Sequence, residues 1–222
     1  MHQTRAPGAA GQKARLLNVV PQELIRGLHE SLDRLADFLV GRKVSPNVIT
    51  FLGLLAGSAG GLLFALDQPL GAAAFILICG LVDILDGKVA AKGGKKSIYG
   101  AIFDSTLDRY SEFFIYLGLA VHFRNRWALW VIFFTFLGSA MVSYTRARAE
   151  GLGIECQIGL MQRAERLILL VLGSLIGPLL EIFDPVMIVI LIVIALVSNI
   201  TAFQRMFLVK KAENHLKSEK EV

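Results

Sequence analysis

From Gly80 to Asp108 the chain reads GLVDILDGKVAAKGGKKSIYGAIFDSTLD, and the fold turns on how its four aspartates are read. Asp83 and Asp86 stand three apart and Asp104 and Asp108 four apart, so on helices each pair occupies one face. Upstream, Leu70 to Val82 is apolar without a charge, and Phe113 to Val121 continues the pattern downstream. The acidic pairs therefore lie inside two apolar helical segments joined by a Gly/Lys loop from Gly93 to Ser97. So short a loop predicts that the two helices are antiparallel neighbours whose acidic faces converge near one membrane boundary. Each carboxylate taken out of water there costs on the order of several kcal/mol, so cations must sit among them. Lys88 and Arg109 are candidates by proximity in sequence. Divalent ions are the other candidate, since clustered carboxylate oxygens suit hard Mg²⁺ or Mn²⁺ and four aspartates can hold two of them. Ionisable residues inside a span are functional by default.

Working outward, the whole chain agrees with that setting. Its 222 residues are 55% hydrophobic and 18% charged. A soluble domain averages roughly 45–50% and 25%, so the class is an integral membrane protein. Apolar segments predict six transmembrane helices, near 45–66, 70–91, 98–123, 127–146, 167–183 and 186–209. Ser45-Pro46 opens the first with a capping residue and a proline at the first helical position, and Gly53, Gly57 and Gly61 give it a face that admits another helix closely. Before it, Leu24, Ile25, Leu28, Leu32, Leu35, Phe38 and Leu39 recur at three-to-four spacing against Glu23, Arg26, Glu30, Asp33, Arg34 and Asp37, which predicts an amphipathic interfacial helix. The layout is thus an all-α protein in four parts: a disordered basic tail over 1–17, a juxtamembrane helix within 18–44, a six-helix domain over 45–209 and a charged tail over 210–222.

The net charge of +5 does not point to nucleic acid, because the basic residues collect at the ends of apolar segments and form no continuous face. Arg42, Lys43, Lys92, Lys95, Lys96, Arg146, Arg148, Arg163, Arg166, Lys210 and Lys211 fall on the side of the termini, against only Arg124 and Arg126 in the opposite turns. That asymmetry predicts a multi-pass protein of the cell membrane with both termini and the acidic cluster cytoplasmic. Two cysteines, Cys79 and Cys156, make no disulfide framework.

The segments Asp83-Ile-Leu-Asp86-Gly87-Lys-Val-Ala90 and Gly100-Ala-Ile-Phe-Asp104-Ser-Thr-Leu-Asp108 resemble the signature of the CDP-alcohol phosphatidyltransferases, D-x-x-D-G-x-x-A-R followed by G-x-x-x-D-x-x-x-D. Seven of the eight fixed positions match, and the departure is Ala91 where the signature has arginine, with Lys92 next. Six spans behind an interfacial helix, and Ser45-Pro46-Asn47 at the head of the first, extend the similarity. The resemblance implies that Asp83, Asp86, Asp104 and Asp108 bind two divalent ions that grip the diphosphate of a CDP-linked lipid, with Asp108 also the general base on the acceptor hydroxyl. It further implies a donor site at Asn47, Gly87, Ala90, Lys92 and Gly100, CDP-diacylglycerol as donor, CMP as leaving product and a homodimer.

The acceptor is read from a second polar group. Arg146, Arg166 and Arg205 come from three spans and are expected to converge near the aspartates, which suits a phosphate held by guanidinium forks. This arrangement resembles that of the inositol-phosphate-using members of the family, so the expected reaction is phosphatidyl transfer to inositol phosphate. Glycerol 3-phosphate remains open as an acceptor, free inositol and serine less so because they bring no phosphate. A cation transporter is the alternative of a different class, though no internal repeat or broken helix pair supports it.

Overall fold

The computed structural model describes residues 22–156 and 158–218, and within them the chain is all helical. Seven helices follow one another: α1 Gln22–Gly41, α2 Pro46–Ala65, α3 Pro69–Lys92, α4 Ile98–His122, α5 Ala128–Gly151, α6 Arg163–Leu179 and α7 Phe183–Ser218. The basic tail expected over 1–17 lies outside the described residues. Four of the helices, α2, α3, α5 and α7, are long and apolar enough to cross a membrane. Large apolar side chains such as Leu62, Trp130, Phe134, Val189 and Leu196 stay exposed on their outer faces, an arrangement stable only where the surroundings are apolar too. The chain is a membrane protein.

Local chemistry sets the helix ends. Ser45 is extended at φ −77° and Pro46 starts α2 with its fixed φ and its missing N–H in a position that needs none. Ser97 caps α4 by accepting from the Gly100 N–H at 2.9 Å. The N-terminus of α6 is closed by Glu165, whose carboxylate accepts from the Gln162 N–H at 3.0 Å. This cap moves the start of α6 to Arg163, ahead of the apolar run expected from residue 167. α5 likewise continues past Arg146 to Gly151, and α7 past Val209 through Lys210 and Lys211, because the Arg/Ala/Glu/Lys segments that follow are good helix formers even where they are not apolar.

The glycine face of α2 organises the packing, but differently from a single close neighbour. Gly53 and Gly60 lie against α3, where an added Cβ would come 3.3 Å from Val82 and 3.1 Å from Ile76. Gly57 and Gly61 lie against α4, where it would come 2.7 Å from Ser111 or inside the backbone at Phe114. Gly118 of α4 meets the Gly61 backbone in return. So α2 packs against both α3 and α4, and these two come together at the end that carries the aspartates. Their Gly93–Ser97 connection spans the start of α2, with Gly94 at φ +63° making the turn.

The other half pairs α5 with α7 and joins it to the first through α6, which contacts both α3 and α7. One apolar core runs through this join, from Phe64 and Ile76 through Ile115 and Leu119 to Leu170, Met187 and Ile194. A smaller one, Ala36, Ile49, Leu85 and Val89, holds α1 against α2 and α3. α1 divides its apolar residues: Leu32 and Ala36 are buried, while Leu28, Leu35 and Phe38 remain exposed.

Candidate active site

All four aspartates reach the same end of the bundle, Asp83 and Asp86 from the last turns of α3 and Asp104 and Asp108 from the first turns of α4. One carboxylate oxygen from each of Asp83, Asp104 and Asp108 lies within 4.8 Å of the others. Asp86 is buried, and its Oδ2 accepts from the Thr50 hydroxyl of α2 at 2.7 Å, a partner no spacing in the sequence announced. Asp104 Oδ1 is buried without a hydrogen-bond partner among the described residues. A buried carboxylate oxygen left without a donor is costly unless a cation or ligand completes it. Clustered hard oxygen donors with one such oxygen in their midst fit divalent ions such as Mg²⁺ or Mn²⁺.

The cation found among the carboxylates is neither of those proposed from proximity in the chain. Lys88 turns away to α1, where its Nζ donates to Asp33 Oδ1 at 2.8 Å. Arg109 touches the edge, with Nη1 3.6 Å from Asp108 Oδ2 and 2.6 Å from the Ser105 carbonyl. Arg163, at the start of α6, occupies the centre: its Nη1 is 2.8 Å from Asp83 Oδ1 and 2.7 Å from Asp108 Oδ1. Its Nη2 donates to Ser111 Oγ at 3.1 Å, and Ser111 Oγ donates in turn to the Asp108 carbonyl at 2.9 Å. Only the fold brings α6 alongside α3 and so makes Arg163 a neighbour of both acidic pairs.

Beside the carboxylates opens a cavity of about 260 Å³ whose walls include Asn47, Thr50, Asp86, Gly87, Ala90, Gly100 and Asp104. Four of the expected donor-site residues thus surround one space, and Gly87 leaves it open because no atom lies within 4 Å of where its Cβ would be. Lys92 corrects the expectation. It faces α1 instead, with Nζ 2.8 Å from Asp37 Oδ1 and 3.4 Å from Asp33 Oδ1, because the register of α3 points it at the acidic face of the amphipathic helix. Lys95 and Lys96, one turn of chain further, are the cations on the cavity wall. The hydrogen bond from Lys88, with Lys92 beside it, holds the Asp33 carboxyl below its ordinary pKa.

The three arginines are placed unequally. Arg205 of α7 reaches α5 at the Val142 carbonyl, one turn before Arg146. Each of the three has a protein partner. Arg166, 1% exposed, holds Glu112 with both its Nε (2.6 Å) and Nη2 (3.0 Å), leaving Nη1 without a hydrogen-bond partner among the described residues. Arg205 is buried and donates from Nε to the Ile158 carbonyl at 2.8 Å and from Nη1 to that of Val142. Arg146 is about half exposed and pairs with Glu150 at 2.8 Å. Cys156, in the loop between α5 and α6, is buried, which raises its thiol pKa, and neither cysteine is bonded to the other.

Residues 43–201 match the family described as CDP-alcohol phosphatidyltransferase. An archaetidylinositol phosphate synthase of Methanothermobacter thermautotrophicus is 34% identical over 86% of this chain and 96% of its own. The crystal structure of Mycobacterium tuberculosis phosphatidylinositol phosphate synthase with CDP-DAG bound superposes with a TM-score of 0.73 at 31% identity, covering 80% of this chain and 92% of that one. The same enzyme in complex with manganese and citrate gives a TM-score of 0.73 at 31% identity, over 80% and 88% of the two chains.

Proposed function

The chain belongs to the CDP-alcohol phosphatidyltransferases, and from that premise we propose that it transfers the phosphatidyl group of CDP-diacylglycerol to a hydroxyl of inositol phosphate, releasing CMP. The observation that carries the reading is one continuous surface in which a carboxylate cluster borders a cavity walled by Asn47, Gly87, Ala90 and Gly100. The names of the similar proteins support the choice of acceptor.

Asp83, Asp86, Asp104 and Asp108 would hold two divalent ions, which when bound supply Lewis-acid charge to the diphosphate. Thr50 fixes Asp86 in orientation, so that carboxylate is set before any ligand arrives. Asn47, Gly87, Ala90 and Gly100 leave room for the donor head group against bare helix backbone, with Lys95 and Lys96 as nearby positive charges. Asp108 takes the proton from the acceptor hydroxyl, a role within reach of a carboxylate on the cluster's edge. Arg146, the most accessible of the three arginines, would meet the acceptor's phosphate once it leaves Glu150, while Arg166 and Arg205 add positive field from behind.

The same proposal covers the setting. α4 and α6 complete six membrane-crossing helices: α4 falls short by composition because it carries Asp104, Asp108, Arg109 and Glu112, and α6 because it has 17 residues, yet both pack against the four apolar helices. α1 lies at the interface with Leu28, Leu35 and Phe38 toward lipid, ahead of a domain over 45–209. Both termini and the active site face the cytoplasm of a multi-pass protein in the cell membrane, and the enzyme is a homodimer, as the resemblance implies.

Purified protein given CDP-diacylglycerol, Mg²⁺ or Mn²⁺ and a panel of inositol phosphate, glycerol 3-phosphate, inositol and serine tests the reaction by CMP release. Inositol phosphate should be used best. Preference for glycerol 3-phosphate or an unphosphorylated alcohol overturns the acceptor assignment, and metal uptake with no CMP release from any acceptor overturns the reaction.

A further inference from the structure

We infer that Arg163 sets the strength of divalent-ion binding by holding two of the carboxylates, Asp83 and Asp108, that would ligate an ion. The inference rests on the metal reading of the four aspartates and adds a residue that acts against the ion. Its geometry is unusual for a structural ion pair. Nη1 alone stands 2.8 and 2.7 Å from carboxylate oxygens of two different helices. One nitrogen is divided between two carboxylates, in contrast to the Arg166–Glu112 pair one turn along the same helix, where two nitrogens hold a single carboxylate. The guanidinium is tethered by Nη2 to Ser111 Oγ, so it can give up the carboxylates without losing its anchorage.

Its place in the fold is also informative. Arg163 opens α6, where the helix dipole disfavours a positive charge. The side chain is 15% exposed and that of Asp108 16%, so the charges meet where water screens them little. One monovalent cation shared by two carboxylates keeps them from repelling each other when no ion is bound. It also makes every ion compete with a tethered charge, so binding is moderated at the point where the product's phosphates must later leave.

Mn²⁺ binding to the purified protein in detergent, followed by electron paramagnetic resonance, tests this directly, with thermal unfolding measured with and without Mn²⁺. Arg163→Gln should bind Mn²⁺ about tenfold or more tightly, since a positive charge next to the site is gone. It should also unfold at lower temperature without Mn²⁺ and regain most of that loss when Mn²⁺ is added. Arg163→Lys keeps the charge on a shorter reach and should fall between wild type and Arg163→Gln. Unchanged or weaker Mn²⁺ affinity in Arg163→Gln overturns the inference, and if that variant does not fold, the same result in Arg163→Lys does so. A wild-type protein that binds no Mn²⁺ overturns the metal reading itself, which is a separate outcome.

Discussion

Where the α2–α3 turn, the end of α4 and the start of α7 meet, His122 closes on two carboxylates, Asp67 through Nδ1 at 2.5 Å and Asp184 through Nε2 at 2.8 Å, and Arg126 adds a second contact to Asp184. At the opposite end, Asp83, Asp104 and Asp108 gather their oxygens within 4.8 Å around one guanidinium, and Asp104 Oδ1 has no donor among the described residues. Both ends place acids at helix termini in a greasy chain. The first end answers them with basic partners drawn from neighbouring turns, and the result fastens three helix ends together. The second leaves negative charge over, and leftover charge in a poorly hydrated place is what a metal ion and a substrate exploit. The balance of partners, more than the presence of aspartates, separates a fastening from a site.

The largest effect that would break this contrast is expected at the acidic cluster. Changing Asp83, Asp86, Asp104 or Asp108 to Asn should lower CMP release by about a thousandfold or more, while gel filtration in detergent shows a folded protein. Asp108→Asn should reduce turnover far more than donor affinity if it also takes the proton. Near-normal turnover in two of the four variants would return the cluster to the status of a second fastening.

Much of this end was legible in the sequence and part was not, for a physical reason. The aspartate pairs, the Ser45-Pro46 helix start and the close-packing glycines are local patterns, and local patterns survive reading along the chain. Arg163, Thr50 and Glu112 matter through contacts across the bundle, which depend on α2 packing against both α3 and α4. The short Gly93–Ser97 loop argues for the end of α3 lying beside the start of α4, as it does, and only the paired use of the α2 glycines shows that both helices also pack on α2. Lys92 was misplaced because a position next to a motif says nothing about which way the helix turns it. His122 carries no signal along the chain for the same reason, since Asp67 and Asp184 are its neighbours only in space.

Next in size is the difference between the cations at the two ends. Arg146→Gln should raise KM for inositol phosphate about tenfold and leave that for CDP-diacylglycerol within about twofold, as for one charged phosphate contact. Arg126→Gln, its counterpart at the far end, should change neither. Steady-state kinetics with each substrate varied in turn checks both, and loss of donor affinity in Arg146→Gln would move that arginine to the donor site.

The far end itself should answer in stability alone. His122→Gln removes the ring contacts to Asp67 and Asp184, and a loss of about 3–8 °C in unfolding temperature is expected with kcat unchanged. A fall in kcat without a fall in unfolding temperature would show that this end communicates with the site, and the contrast between the two ends would no longer hold.

The smallest effect belongs to the acid–base pairs that lie outside both ends' tightly packed groups, where α1 meets α3. Asp33 and Asp37 receive Lys88 and Lys92, but Asp33 is well exposed, so water and salt screen the pairing. Asp33→Asn should therefore change KM for CDP-diacylglycerol by no more than about twofold, less still in high salt. The pH dependence follows from the direction of the shift. Lys88 lowers the folded-state pKa of Asp33, so whatever stability the pair contributes is present above the unfolded value near 3.9 and is lost as pH falls through the lower folded value. Between about pH 6 and about pH 9 Asp33 stays ionised in both states, and the difference between wild type and Asp33→Asn should not vary. Unfolding temperatures measured across that range check the flatness. A large drop in turnover for Asp33→Asn would mean that α1 holds α3 in the register the aspartates need, giving a third kind of acidic group whose work is to position the site from outside it.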